Sequence, residues 1–175
     1  MPRRLKRHNP TIPWGLYFSE NDTGMPSGWT NVELDLTDLQ DSIANISAQY
    51  DILSRQGLVS EWWRWRARFG FVAPTVVGEL MRLYICGADD TDSAVIDGDF
   101  GASAGAITAA DLANCDNFGN VDTTQQTECI QSGLVRIMDR YISLAVHNDT
   151  AAEHTTDTAG DSWVKMWPVP PIETP

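Results

Sequence analysis

The chain has 175 residues, of which 42% are hydrophobic and 21% are charged, and its formal net charge is -12. This length and composition predict a single globular domain with its own core, and they exclude a disordered chain. The acidic balance argues against general nucleic-acid binding, which needs basic residues across the contact face. No apolar run has the length of a signal peptide or of a membrane-spanning helix, so we expect a soluble protein.

Residues 1–13 are basic, whereas the rest of the chain is acidic. Four of the twelve basic residues lie here, namely Arg3, Arg4, Lys6 and Arg7. From His8 onward, 8 basic residues face 24 acidic ones, a formal charge of -16. Prolines within the segment disfavour a helix. The pattern predicts an extended arm that docks on an acidic surface, and a solvated terminus is the alternative.

The next part of the chain predicts two short strands and an ambiguous stretch. An aromatic run predicts a strand over residues 14–18, and a turn-rich loop follows over residues 19–31. Alternating apolar and acidic residues predict a strand over residues 32–36. Residues 37–56 favour irregular structure with one helical turn, and a short strand near residues 47–52 is the alternative.

The clearest strand covers residues 59–72, where side chains alternate strictly between two types. One face is large and apolar, whereas the other carries Trp62, Arg64, Arg66 and Arg68. Guanidinium groups on an exposed strand face bind carboxylates and stack on indoles, which predicts a subunit interface. An intramolecular match to Glu33 and Asp35 across a sheet is equally compatible with the sequence.

The remaining segments complete an all-β chain. A second long strand is predicted over residues 76–86, and a Gly/Asp-rich loop with a short helix at 109–113 follows over residues 87–120. Further strands are predicted over residues 130–137, 141–146 and 162–168. Strands separated by Gly and Asp turns predict a β-sandwich or jelly roll over residues 14–168. Residues 169–175 form an extended, proline-rich tail.

Motifs that would indicate chemistry are weak. The Gly/Asp-rich loop offers a possible calcium site, with a solvated acidic loop as the alternative; its carboxylates are Asp89, Asp90, Asp92, Asp97 and Asp99. Residues 101–105 spell GxSxG around Ser103, but a turn precedes them instead of the buried strand that this motif requires. Nothing ties His8, His147 or His154 to that serine. We therefore expect no enzyme activity, no catalytic residues and no cofactor.

The cysteines and tryptophans leave alternatives open. Cys86 is expected to pack as a small apolar residue, and Cys115 and Cys129 could pair, although reduced thiols are favoured. No zinc-binding spacing occurs. A carbohydrate-binding platform of aromatic rings competes with burial in the core as the role of five tryptophans, which are Trp14, Trp29, Trp62, Trp163 and Trp167.

Three segments together resemble a known class of proteins. They are the strand over residues 75–85, the Asp-rich loop after it, and residues 140–148 with the closing strand that ends Trp167-Pro168-Val169. Their order resembles the small β-sandwich structural proteins of tailed bacteriophage virions, the capsid decoration or cement class. The basic arm and the Trp-rich strand are not part of this resemblance.

The resemblance implies a non-enzymatic component of the virion, made in the host cytoplasm and located on the capsid surface. Its implied partners are the major capsid protein and copies of itself, as a trimer or another homo-oligomer, and it would stabilise the capsid lattice. The alternative is a carbohydrate- or receptor-binding β-sandwich of a phage tail or head fibre. A hydrolase would need carboxylates that converge in a pocket, or a histidine beside Ser103.

Overall fold

A computed structural model describes residues 14–52, 60–76, 78–88, 105–108, 110–150, 154–158 and 160–169. These residues form eleven strands and one short 3-10 helix, η1. The first four strands are short: β1 (Leu16–Ser19), β2 (Thr30–Glu33), β3 (Ala44–Ile46) and β4 (Tyr50–Asp51). The remaining elements are β5 (Trp62–Gly70), β6 (Leu80–Ala88), β7 (Gly105–Ile107), η1 (Asp111–Asn114), β8 (Asp116–Asp122), β9 (Glu128–Arg136), β10 (Tyr141–Asp149) and β11 (Trp163–Pro168).

The strands form two sheets that pack face to face. Sheet A has the order β2-β1-β11-β5-β9, and sheet B has the order β7-β3-β10-β6-β8, with β4 also paired to β10. All described pairs of strands are antiparallel except β1 with β2, which are parallel. The architecture is therefore a β-sandwich, which confirms the all-β fold predicted from the sequence.

The main core lies between the two sheets, because each strand turns alternate side chains inward. Sheet A contributes the aromatic residues Trp63, Trp65 and Phe69 from β5. Sheet B contributes the aliphatic side chains of β6 and β10, including Leu83 and Leu144, both fully buried. The Trp63 indole N–H donates to the carbonyl oxygen of Ser60 at 2.8 Å, so this large ring is buried with its polar atom satisfied.

A second, smaller apolar cluster lies on the outer side of sheet B. The side chains of β3 and β10 on this side are small or apolar, and Leu112 of η1 packs over them. The residues of this cluster are Ala44, Ile46, Cys86, Leu112, Tyr141 and Ala145, with Tyr84, Ile107 and Cys115 packed against them. The segment that contains β7 and η1 therefore covers the outer side of sheet B.

A disulfide between Cys86 and Cys115 attaches this covering segment to β6. The expectation of reduced thiols, and of Cys86 as a simple apolar residue, was therefore wrong. Cys115 does not pair with Cys129, which is a free thiol on the inner side of β9. Sequence reasoning failed here because the two half-cystines are 29 residues apart, and the packing of η1 on sheet B brings them together.

Most long strands lie where the sequence predicted them, whereas two intervals differ. In residues 37–52, the described part of the interval 37–56, the structure has the strands β3 and β4 and no helical turn, and β4 lies within the alternative strand near residues 47–52. The loop predicted over residues 87–120 contains β7, η1 and all but the last two residues of β8. The described segments contain no helix long and apolar enough to cross a membrane.

Candidate binding face

The outer side of sheet A carries an exposed surface that we call the Arg–Trp face. The register places Trp163, Lys165 and Trp167 of β11 beside Arg68, Arg66 and Arg64 of β5, respectively. On the other side of β5, the same three arginines lie beside Ile130, Ser132 and Leu134 of β9. The face is completed by Trp62 and Arg136, which are paired to each other at the end of these strands.

The alternation of β5 explains why this face is polar and aromatic. Trp63, Trp65, Ala67 and Phe69 point into the core, so the residues between them must point outward. Arg64 and Arg66 are exposed, and Trp62 retains 47% of its accessible surface. The sequence-based assignment of Trp62, Arg64, Arg66 and Arg68 to one outward face is therefore correct, while their role as an interface stays a prediction.

The loop between β1 and β2 closes one border of the Arg–Trp face. Tyr17 of β1 is fully buried beneath this loop, and its hydroxyl donates to the carbonyl oxygen of Thr23 at 2.6 Å. Trp29, at the end of the loop, packs against Trp167 with ring centroids 5.9 Å apart. The open part of the face is thus restricted to β11, β5 and β9.

The cations of the face differ in their partners. Arg68 lies 3.0 Å from Glu128 and 4.0 Å from Asp161, and Arg136 lies 2.8 Å from Glu61. By contrast, no described carboxylate lies within ion-pair distance of Arg64 or Arg66. Two guanidinium groups of an acidic chain are therefore displayed without an anionic partner among the described residues.

The intramolecular match of these arginines to Glu33 and Asp35 is not formed. The neighbours of β5 are β11 and β9, whereas β2, which ends at Glu33, lies at the opposite edge of sheet A. Two strands, β1 and β11, separate it from β5. Sheet order, which the local sequence does not encode, decides this alternative.

Lys165 adds a fifth cation at the centre of the face. Its ammonium group lies 4.1 Å from the Trp163 ring centroid and 5.1 Å from that of Tyr17, and it donates to the carbonyl oxygen of Gly24 at 3.3 Å. Burial lowers the pKa of this amine, and the nearby positive charges of Arg66 and Arg68 lower it further. The lowered pKa therefore reflects burial first and the charges of the two arginines second.

An open groove of about 720 Å³ lies over β5 and β9. It is lined by guanidinium groups, an indole ring and the exposed aliphatic side chains of the edge strand; these include Arg64, Arg66, Trp167, Ile130, Ser132 and Leu134. Ile130 and Leu134 retain 47% and 52% of their accessible surface. The groove combines bidentate donors for carboxylates with apolar contact area, a combination suited to an acidic protein surface.

The tryptophans divide between the core and this face. Trp14 packs edge-on against Trp63, with ring centroids 5.4 Å apart, and belongs to the core. Trp29, Trp163 and Trp167 are half-buried around the face, and Trp62 is exposed. Four of the five candidate platform residues therefore lie on one side of the sandwich.

The other predicted sites lie partly outside the described residues. Arg3, Arg4, Lys6, Arg7 and His8, the Asp89–Asp99 segment and Ser103 all fall outside them. Within the described ranges, no group of three or more histidine, cysteine, aspartate or glutamate side chains is placed to hold a metal ion. His154 lies 2.5 Å from Asp38, whereas His147 lies in β10 beside Arg82 of β6, so these two histidines form no common site.

Sequence reasoning named Trp163 and Trp167 as candidate platform residues, but it did not predict that β11 and β9 lie on either side of β5. The alternation in β11, with Trp163, Lys165 and Trp167 outward and Val164 and Met166 inward, repeats the pattern of β5. This shared aromatic and basic alternation is a signal by which β11 could have been recognised as a neighbour of β5. The sequence of β9 contains no comparable cue.

No protein-family model matches the chain, and no curated protein matches it.

Proposed function

We propose that this protein is a non-enzymatic structural protein of a bacteriophage virion, of the capsid decoration class. It would bind the major capsid protein through the Arg–Trp face and stabilise the capsid lattice. Copies of the chain would associate as a trimer or another homo-oligomer. The chain would be made in the host cytoplasm and act on the capsid surface.

The observation that carries this proposal is the display of Arg64 and Arg66 without a described carboxylate partner. A chain with a net charge of -12 has many carboxylates that could neutralise these side chains. The two guanidinium groups nevertheless line a groove beside Trp167 and two exposed aliphatic residues. Desolvated arginines and aromatic rings dominate the energy of protein interfaces, so this face is suited to an acidic partner surface.

The disulfide between Cys86 and Cys115 supports a site of action outside a reducing cytosol. Disulfides persist on secreted proteins and on virion surfaces, whereas cytosolic thiols are kept reduced. In this proposal the bond forms after the particle leaves the host. The disulfide is thus compatible with a chain that is synthesised in the cytoplasm.

Co-sedimentation with capsids that lack this protein tests the proposal. We expect the wild-type chain to bind such capsids stoichiometrically at moderate salt, and R64Q/R66Q to bind at least about tenfold more weakly because two charge-assisted contacts are lost. Many equivalent sites on one lattice would make even modest single contacts sufficient for binding.

The matched control is R82Q/R140Q, which removes the same charge from two arginines that already pair with Asp149 and Asp51. This control should bind capsids like the wild type. Equal weakening of both variants would show that only net charge matters, and the absence of wild-type binding would refute the proposal.

A second candidate function is binding of a carbohydrate or receptor by a phage tail or head-fibre β-sandwich. It is favoured by the four tryptophans on one side of the sandwich, since aromatic rings stack on sugar rings. In this reading Trp62 and Trp167 would carry binding, whereas Arg64 and Arg66 would matter less.

A glycan array separates the two candidates. Retention of the wild-type chain on a defined glycan, lost in W62A/W167A and preserved in R64Q/R66Q, would favour the carbohydrate function. Capsid binding, together with no binding to any glycan of the array, would favour the decoration function.

A further inference from the structure

Strand β9 forms one edge of sheet A and is long for an edge strand. Its nine residues pair with β5 on one side, and no described strand pairs with its other side. An open edge is a template for another strand, and proteins often protect such edges with lysine, proline or a bulge. Strand β9 contains neither lysine nor proline, and its register with β5 runs without a bulge.

The register identifies the backbone groups on the open edge. Phe71 donates its N–H to Thr127, and Ile137 donates its N–H to Glu61. Both bonds continue the β5–β9 ladder, in which hydrogen-bonded pairs alternate with non-hydrogen-bonded ones. The odd-numbered residues of β9 therefore bond to β5, and the even-numbered residues direct their N–H and C=O groups away from the sheet.

The same even-numbered residues present their side chains on the Arg–Trp face. In chain order they are Glu128, Ile130, Ser132, Leu134 and Arg136. All five are exposed. Their order is self-complementary about Ser132: an acidic residue at one end matches a basic residue at the other, and two aliphatic residues match each other.

We propose that β9 pairs antiparallel with β9 of a second copy of this chain, about a two-fold axis at Ser132. Glu128 then faces Arg136 of the second copy, Ile130 faces Leu134 of the second copy, and the two Ser132 residues face each other. Each of these pairs joins two residues with outward-directed backbone groups, as hydrogen-bonded antiparallel pairs require. The charge match and the aliphatic match are each formed twice.

The charged residues at the two ends of β9 can form these contacts and keep the ion pairs that they already make. Glu128 contacts Arg68 and Arg136 contacts Glu61, and all four side chains retain solvent exposure. Pairing would extend these two ion pairs into a row of alternating charge, formed by Glu61, Arg136, Glu128 of the second copy and its Arg68. On the side of β9 that faces the core, Gln131 would lie opposite Gly133 of the second copy, which has no side chain of its own and is covered by the Trp65 ring of that copy.

The unpaired arginines do not oppose this contact. Arg66 and its equivalent in the second copy would be separated by three strand spacings, about 14 Å. That separation exceeds the Debye length of about 8 Å at physiological ionic strength, so their repulsion is screened. The two A sheets would become one ten-stranded sheet with both Arg–Trp faces on the same side.

Sedimentation velocity of the full chain over a range of concentrations tests the pairing. We expect a dimer, with twice the 19.4 kDa mass of one chain. The variant I130K/L134K should weaken dimerisation at least tenfold, because it places lysines at the apolar pairs of the seam. The matched control is I43K/V76K, which adds the same charge at two exposed aliphatic residues outside the β5–β9 ladder and should leave the dimer intact.

A charge exchange tests the register itself. Alone, E128R places arginine opposite Arg136 of the second copy, and R136E places glutamate opposite Glu128, so each should be monomeric at concentrations where the wild type is dimeric. Mixed in equal amounts, they should form a heterodimer, because every end pair then joins opposite charges. Misfolding of either variant cannot produce this recovery.

Three outcomes would overturn the pairing: a wild-type chain that stays monomeric up to about 100 µM, a dimer that survives I130K/L134K, or mixed charge variants that remain monomeric. This inference does not rest on the proposed function, because solution mass and capsid binding are measured separately. A dimer that ignores capsids would leave the pairing intact and refute the decoration proposal.

Discussion

The outer side of sheet B is covered by another segment and that of sheet A is exposed, although the same strand alternation produces both. On sheet B the outward positions hold small or apolar residues such as Ala44 and Ala145, and the segment with β7 and η1 covers them. On sheet A the outward positions hold arginine and tryptophan, and the described part of the chain leaves β11, β5 and β9 uncovered. The difference identifies the side of the sandwich that is available to a partner.

A charge placed on each outer side should give the largest contrast. Ala145 is fully buried in the second apolar cluster, so A145R should lower the free energy of unfolding by about 4 kcal/mol. Ser132 is exposed on the Arg–Trp face beside Arg66, so S132E, measured at concentrations where the chain is monomeric, should change it by less than about 0.5 kcal/mol. Urea denaturation measures both values, and equal losses would show that the two sides are equally packed.

Reduction of the disulfide should loosen the segment with β7 and η1 that covers the outer side of sheet B. Closure of a loop of 29 residues restricts the unfolded chain, so loss of the Cys86–Cys115 bond should lower the free energy of unfolding by about 3 kcal/mol. Thermal unfolding with and without a reducing agent measures this loss. The variant C86S/C115S should no longer respond to the reducing agent, and a response that persisted would show that the loss of stability does not come from this bond.

The reactivity of Cys129 tests whether the inward-facing residues of β9 are closed to solvent. Burial raises the pKa of its thiol from 9 to about 11, and the charges of Asp122 and Glu128 add to the effect. Alkylation of the folded chain at pH 8 should therefore be about a hundredfold slower than in urea. Fast alkylation under native conditions would show that β9 opens at this position.

The same shift predicts a loss of stability at alkaline pH. The folded chain holds the Cys129 proton more tightly than the unfolded chain does, so this contribution is fully present below pH 9. It should be lost as the pH rises from 9 through about 11. The difference between the wild type and C129S in urea denaturation across this window isolates the effect.

Removal of the unpaired arginines should have the smallest effect on the fold. Arg64 and Arg66 form no ion pair with a described carboxylate, so R64Q/R66Q should change the free energy of unfolding by less than about 0.5 kcal/mol. Any increase in the free energy of unfolding would come from removing the repulsion between these arginines and Lys165, and it should shrink as salt screens that repulsion. A loss above 1 kcal/mol would show that these side chains support the fold and are not reserved for a partner.

The sequence by itself predicted the elements whose pattern is local. Strand β5 was recognised because four aromatic residues and an alanine alternate with a tryptophan and three arginines, a period that only an extended strand fits. The same argument located most of β6, β9, β10 and β11. The strands β3 and β7 were missed because three residues are too few to display a period. Strand β4 falls within the short strand offered as an alternative over residues 47–52, and most of β8 was assigned to a loop.

Only the tertiary structure decided which residues meet. The order of the strands in sheet A places Arg64 and Arg66 between β11 and β9, away from Glu33 and Asp35. The packing of η1 on sheet B selects Cys115 as the partner of Cys86. Whether a strand lies at an edge also depends on the whole sheet. Strand β9 has an open edge because no described strand pairs with its other side. Alternation is fixed by neighbours along the chain, whereas sheet order and disulfide pairing depend on contacts between residues far apart in sequence.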